Sequence, residues 1–190
     1  MENLLAIQAI QQLKICSSTL QKIITVTIGS ILIALLAQLR IPLPFTPVPI
    51  TGQTLGVLLV AGVLGSRLGI ASLGLYLLSG LAGLPVFTGW GFGMAHLVSP
   101  TGGYLVGFIA AAYTVGLLAE HGWSRQWLRV TGMFIIGEFI IYLFGITYLA
   151  TFVGLQNALI QGVWPFLIGD LLKAALAAGL LPTAWHFIRK

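Results

Sequence analysis

The chain has 190 residues, of which 58% are hydrophobic and 7% charged, with a mean hydropathy of +1.02. So few charged side chains cannot cover a soluble domain of this size, for which about 25% is usual, so most of the surface must face lipid. That excludes a soluble enzyme and a disordered chain, and also a nucleic-acid binder, because a net charge of +5 spread over a membrane protein makes no basic stripe.

A membrane-crossing helix needs about 20 mostly apolar residues. At the start of the chain, Met1–Gln21 lacks the basic start and small-residue cleavage site of a secretory leader, and residues 1–22 are read as a short interfacial segment. Cys16 is the single cysteine, so no internal disulfide is possible. Six spans are expected to follow, at 23–39, 51–66, 68–83, 101–119, 130–152 and 165–188, within a single membrane domain covering 1–190. The long uncharged stretch from Leu68 to Ala119 is divided at Gly83-Leu84-Pro85 and at Ser99-Pro100-Thr101-Gly102-Gly103, where Pro and Gly end one helix and begin another. Transmembrane strands would alternate polar and apolar residues, whereas Val57-Leu58-Leu59-Val60 and Phe134-Ile135-Ile136 are apolar on every side. The expected fold class is an all-α integral membrane protein, a bundle of six transmembrane helices.

An even number of spans puts both termini on one side. Lys14, Lys22, Arg67, Arg125, Arg129, Arg189 and Lys190 fall on that side, and only Arg40 falls in the opposite loops, so both termini are expected to be cytoplasmic in a multi-pass plasma-membrane protein. Trp90 and Trp164 then sit at the outer boundary, and Trp123, Trp127 and Trp185 at the inner one. The outer loops 40–50 and 84–100 are long and rich in Pro and Gly. Irregular backbone near hydrocarbon is tolerated only when buried in protein or lining a cavity, so a ligand pocket open to the outer face is expected.

Several chemistries are missing. No Lys follows a Gly, so there is no phosphate-binding loop with which to hydrolyse ATP. Gly89-Trp90-Gly91-Phe92-Gly93 lacks the strand and acidic residue of a dinucleotide site. His96, His121 and His186 have no carboxylate or second His at helical spacing, and no catalytic serine is indicated. No enzyme activity, metal or cofactor is expected. Small residues recur four apart at Ser30 and Ala34, Gly52 and Gly56, Ala61 and Gly65, and Gly103 and Gly107, a spacing that lets backbones approach closely in lipid.

Three ionisable residues lie inside spans, each costing about 2.5–3.5 kcal/mol or more at mid-helix. Asp170 and Lys173, three apart, share a helix face and are within reach of each other. They form either a self-neutralising structural ion pair or a clamp for a compact, neutral polar group that presents both N–H and C=O. If the last helix enters at Pro165, Asp170 lies roughly 8 Å and Lys173 roughly 12 Å below the outer boundary, which is pocket depth. Glu138 enters from the inner side and is expected to make a protonated helix–helix contact without touching Lys173.

Four ordered segments carry a resemblance: Pro47-Val48-Pro49-Ile50-Thr51-Gly52-Gln53-Thr54-Leu55, Gly83-Leu84-Pro85-Val86-Phe87, Pro100-Thr101-Gly102-Gly103-Tyr104 and Pro165-Phe166-Leu167-Ile168-Gly169-Asp170-Leu171-Leu172-Lys173. Together they closely resemble the BioY family, the biotin-specific substrate-capture (S) components of energy-coupling factor (ECF) transporters, over nearly the whole chain from about Ile23. The resemblance implies six helices, cytoplasmic termini and high-affinity biotin binding in a pocket open to the outside. It implies a transmembrane coupling subunit and two ATP-binding-cassette subunits as partners. It implies that Asp170 and Lys173 contact the vitamin, with Gln53, Phe87, Thr88, Trp90 and Tyr104 as secondary candidates, and that Ser30 and Ala34 meet the coupling subunit. The loop Thr88-Gly89-Trp90-Gly91-Phe92-Gly93 departs from the family, whose members more usually carry a paired glycine there. Two other readings stay open: capture of a different vitamin, and an integral-membrane enzyme.

Overall fold

The computed structural model describes residues 18–188, so most of the expected interfacial segment lies outside the described residues. In chain order the elements are α1 (Ser18–Gln38), β1 (Arg40–Ile41), β2 (Ile50–Thr51), α2 (Gln53–Leu81), α3 (Met94–Leu97), α4 (Gly102–Glu120), α5 (Trp127–Val153), α6 (Leu155–Gly162) and α7 (Leu167–Ile188). Short 3-10 turns occupy Thr88–Trp90 and Trp123–Arg125. Five helices, α1, α2, α4, α5 and α7, are long and apolar enough to cross a membrane. The helix α6 falls between the last two expected spans, in a stretch the sequence reading leaves as a connection.

At 29 residues α2 would reach about 44 Å if straight, well beyond a bilayer core of about 30 Å. It does not run straight. Gly65 adopts φ 78°, ψ −178°, a conformation essentially confined to glycine, and the chain doubles back there. A β-carbon on Gly69 would come within 2.9 Å of the Ala61 Cα, although residues eight apart in a straight helix are about 12 Å apart. The boundary expected between residues 66 and 68 is therefore a reversal at Gly65, between arms 53–64 and 66–81.

The second arm opens with unsatisfied backbone donors at its N-terminus. Glu120, the last residue of α4, accepts from both the Ser66 amide (2.8 Å) and the Ser66 hydroxyl (2.7 Å), placing an anion where the helix dipole favours it. One turn earlier on α4, a β-carbon on Gly116 would sit 2.4 Å from the Ser66 nitrogen, so a side chain there would push the two elements apart. At the same end Trp185 of α7 donates to the Ser124 hydroxyl (3.0 Å), with the Arg125 guanidinium 4.7 Å above its ring. Short, tightly bonded turns thus close one end of the bundle, and the long loops close the other.

The small residues bring helices of this same chain together. Gly52 and Gly56 receive α1, where added β-carbons would lie 2.8 Å from the Leu36 carbonyl oxygen and 3.3 Å from the Ile33 Cα. Gly103 and Gly107 receive α5 at Tyr148 and Ile141. The inward face of α1 carries Ser30, which is buried, and Ala34, half-buried against the core, while Ile24, Ile28, Ile31 and Leu35 face outward. Of the two residues expected to meet a partner, Ser30 is buried and Ala34 half-buried.

Because Gly65 alone supplies the reversal, Gly65→Ala is expected to destabilise the fold by about 1–3 kcal/mol. Gly74→Ala, with nothing within 4 Å of the added carbon, is expected to be neutral or mildly stabilising. Thermal unfolding of the two detergent-purified variants checks the contrast.

Candidate ligand pocket

The helix α7 begins just after Pro165 and carries Asp170 in its first turn and Lys173 in its second, on one face, as the three-residue spacing dictates. The Lys173 ammonium lies 2.9 Å from Asp170 Oδ1, and both side chains are nearly buried. Neither relies on the other alone. Lys173 also donates to the Thr54 hydroxyl at 2.8 Å, from the first turn of α2, and Tyr142 of α5 donates a short hydrogen bond to Asp170 Oδ2. The pair thus joins three helices at the end of the bundle that carries the long loops.

Asp170 and Lys173 line a cavity whose remaining wall is largely apolar: Val48 from the first loop, Leu105 and Phe108 from α4, Ile141 from α5, and Phe166 beside the α7 entrance. Among the secondary candidates, Gln53, Thr88 and Tyr104 also line it. Gln53 donates to the Tyr76 hydroxyl at 2.7 Å, within α2. The Tyr104 ring fills the space left by Gly145 and Gly162, and its hydroxyl donates to the Gly162 carbonyl at 3.1 Å. Thr88 Oγ1 is buried and unpartnered.

Phe87 and Trp90 do not reach the cavity surface. Phe87 is fully buried behind it, stacked on His96 (5.0 Å) and edge-on to Tyr76 (5.5 Å), over a Gly80 that could not carry a side chain without striking the Phe87 ring. His96 does line the cavity, and burial lowers its pKa below the ordinary histidine value, which favours a neutral ring. Trp90 has its side chain 66% exposed and its backbone at φ 61°, unusual for a bulky residue. Its amide donates to Gln38 Oε1 (3.0 Å), while Gln38 Nε2 reaches the carbonyls of Val86 (3.2 Å) and Phe87 (3.1 Å). The last turn of α1 therefore holds the pocket's loop in place.

A family model for BioY matches residues 8–190. The chain belongs to the BioY family. Among relatives, it is 41% identical to a biotin transporter BioY of Rhizobium etli, over 85% of this chain and 90% of that one. It is 42% identical to a biotin transporter BioY of Thermotoga maritima, over 73% and 81%. Among solved structures, it superposes with a TM-score of 0.79 and 27% identity on an S-component for biotin from an ECF-type ABC transporter, covering 89% of this chain and 94% of that one.

In this BioY chain the sequence reading leaves out Thr54, Tyr142, His96 and Gln38, and it sets Glu138 apart from Lys173. The structure has Glu138 lining the same cavity as the pair, with no hydrogen bond or ion pair to Lys173 among the described residues. Counting depth along one helix from one boundary ignores how α5 crosses α7. The spacing of Glu138 and Tyr142, four apart on one face of α5, is the signal that could have found them.

Removing one member of a buried ion pair leaves a lone charge, so Lys173→Met is expected to lower stability by about 3–5 kcal/mol. The double variant Asp170→Asn, Lys173→Met should recover most of that loss. Thermal melts without ligand test both expectations.

Proposed function

We propose that this chain is the biotin-capturing membrane component of an ECF-type uptake transporter, a transport protein rather than an enzyme. The carrying observation is the Asp170–Lys173 pair on the wall of a cavity that also presents the apolar side chains of Val48, Leu105, Phe108, Ile141 and Phe166. Biotin is divided in the same way. Its ureido ring has two N–H donors and a carbonyl, which suit a carboxylate and an ammonium, and its thioether ring and aliphatic chain suit the apolar wall. On this reading the carboxylate end points toward the loop, where Thr88 offers an unpaired hydroxyl. The family relationship supports the same ligand: the relatives named above are biotin transporters.

In the topology that goes with this reading, the two arms of α2 each cross the membrane. That makes six spans, with both termini cytoplasmic and the pocket open to the outside of the cell membrane. The seven-to-one basic asymmetry supports it. Energy comes from other chains, a transmembrane coupling subunit and two ATP-binding-cassette subunits, since this sequence has no phosphate-binding loop. Ser30 and Ala34 on α1 are the residues proposed to meet the coupling subunit, Ala34 half-exposed and Ser30 buried within this chain.

Calorimetry on the purified chain should show biotin binding and no binding of thiamine or riboflavin. Asp170→Asn and Lys173→Met should each weaken biotin binding by about ten- to a hundredfold, since a charge-assisted hydrogen bond is worth about 1.5–3 kcal/mol. The double variant should fold and still bind poorly. Near-native affinity there would show that the pair is only structural.

Orientation is tested separately, in a Cys16→Ser background. A cysteine at the exposed loop position Ala95 should react with an impermeant maleimide on intact cells, and one at exposed Gln126 only after permeabilisation. The reverse pattern would invert the topology.

A further inference from the structure

One polar group in the cavity is not used by the clamp. Glu138 is 6% exposed and lines the cavity, and its Oε1 has no hydrogen-bond partner. More than nine in ten buried polar groups in proteins are paired, so an unpaired carboxyl oxygen at a cavity wall marks a place where a bound molecule supplies the partner.

The surrounding hydrogen bonds fix what that oxygen can do. Lysine has three donors and no acceptor, so the Thr54 hydroxyl must accept from Lys173, which leaves its own proton free for another acceptor on the cavity wall. Glu138, on the wall of the same cavity, keeps Oε1 buried without a partner. Both oxygens of Asp170, by contrast, already accept a hydrogen bond, from Lys173 and from Tyr142. A cyclic urea needs one donor for its carbonyl and two acceptors for its two N–H groups. The clamp supplies the donor in Lys173 but only one, already engaged, carboxylate.

We infer that Glu138 is the second acceptor for the ligand's head ring: Oε1 takes one ureido N–H while Asp170 takes the other, making Glu138 a specificity-determining residue of the site. The inference rests on the reading that the ligand is biotin. It distinguishes a urea, with two N–H groups, from a ring that offers only one.

The test is a chemical double-mutant cycle on the full chain in detergent. Biotin and its two isomers singly N-methylated on the ureido ring are titrated into the wild type, the near-isosteric Glu138→Met and the acceptor-retaining Glu138→Gln. Glu138→Met should lose about tenfold or more for biotin. One methyl isomer, whose lost N–H is the one Glu138 accepts, should bind the wild type weakly and lose nothing further in Glu138→Met, while the other isomer loses the full factor. Biotin binding by Glu138→Met within about twofold of wild type would overturn the inference. So would an equal loss for biotin and both isomers, the mark of a residue acting only through the fold. If Glu138→Met does not fold, Glu138→Gln decides: its amide oxygen should keep biotin affinity within about tenfold and preserve the difference between the isomers, and a loss beyond a hundredfold would overturn the assignment. Failure of the wild type to bind biotin would overturn the underlying reading, and this inference with it.

Discussion

The constraint on which the pocket depends is the cost of holding Asp170 and Lys173 away from water. A lone buried charge is expensive in lipid, and a bare pair barely compensates for its own desolvation. The pair is tolerable here because neither charge has only one partner: Thr54 engages the ammonium and Tyr142 the carboxylate. Those partners stand on α2 and α5, so satisfying two charges on α7 fixes where the ends of three helices meet. The same bonds that make the charges affordable leave the pair on the cavity wall beside apolar side chains.

A second set of contacts gives the pocket its roof. Phe87 is driven into the space above Gly80 between Tyr76 and His96, which anchors a loop that has little regular structure of its own. Gln38 then supplies both a donor and an acceptor to the backbone of residues 86–90. The loop across the pocket is therefore tied to the last turn of α1, which packs along α2. A displacement of α1 would be transmitted directly to the roof.

The opposite end is built differently. Glu120 caps the second arm of α2, Gly116 allows the backbones to touch, and Trp185 bonds Ser124 beneath Arg125. These bonds close short turns. The asymmetry has a physical origin: tight turns satisfy their backbone groups locally, whereas long loops must find partners in the protein, and the gaps between those partners can form a pocket.

The sequence by itself determined the apolar surroundings, the helical class, the approximate bounds of the long helices, and the Asp170–Lys173 pair, because apolar length, Pro and Gly breaks and helical spacing are local properties. The family was legible too, carried by four short ordered motifs. Only the tertiary structure decided what depends on helices meeting one another. It placed Glu138 on the pocket wall, a role the sequence left open, because the crossing of α5 over α7 is not written in either helix. It put Trp90 on the surface and Phe87 behind the cavity wall, although both stand in one irregular loop where no periodicity assigns a face. The partners that steady the site, Thr54, Tyr142 and Gln38, are ordinary polar residues in their own helices, and they become significant only when folding brings a charge or an unpaired backbone group within reach.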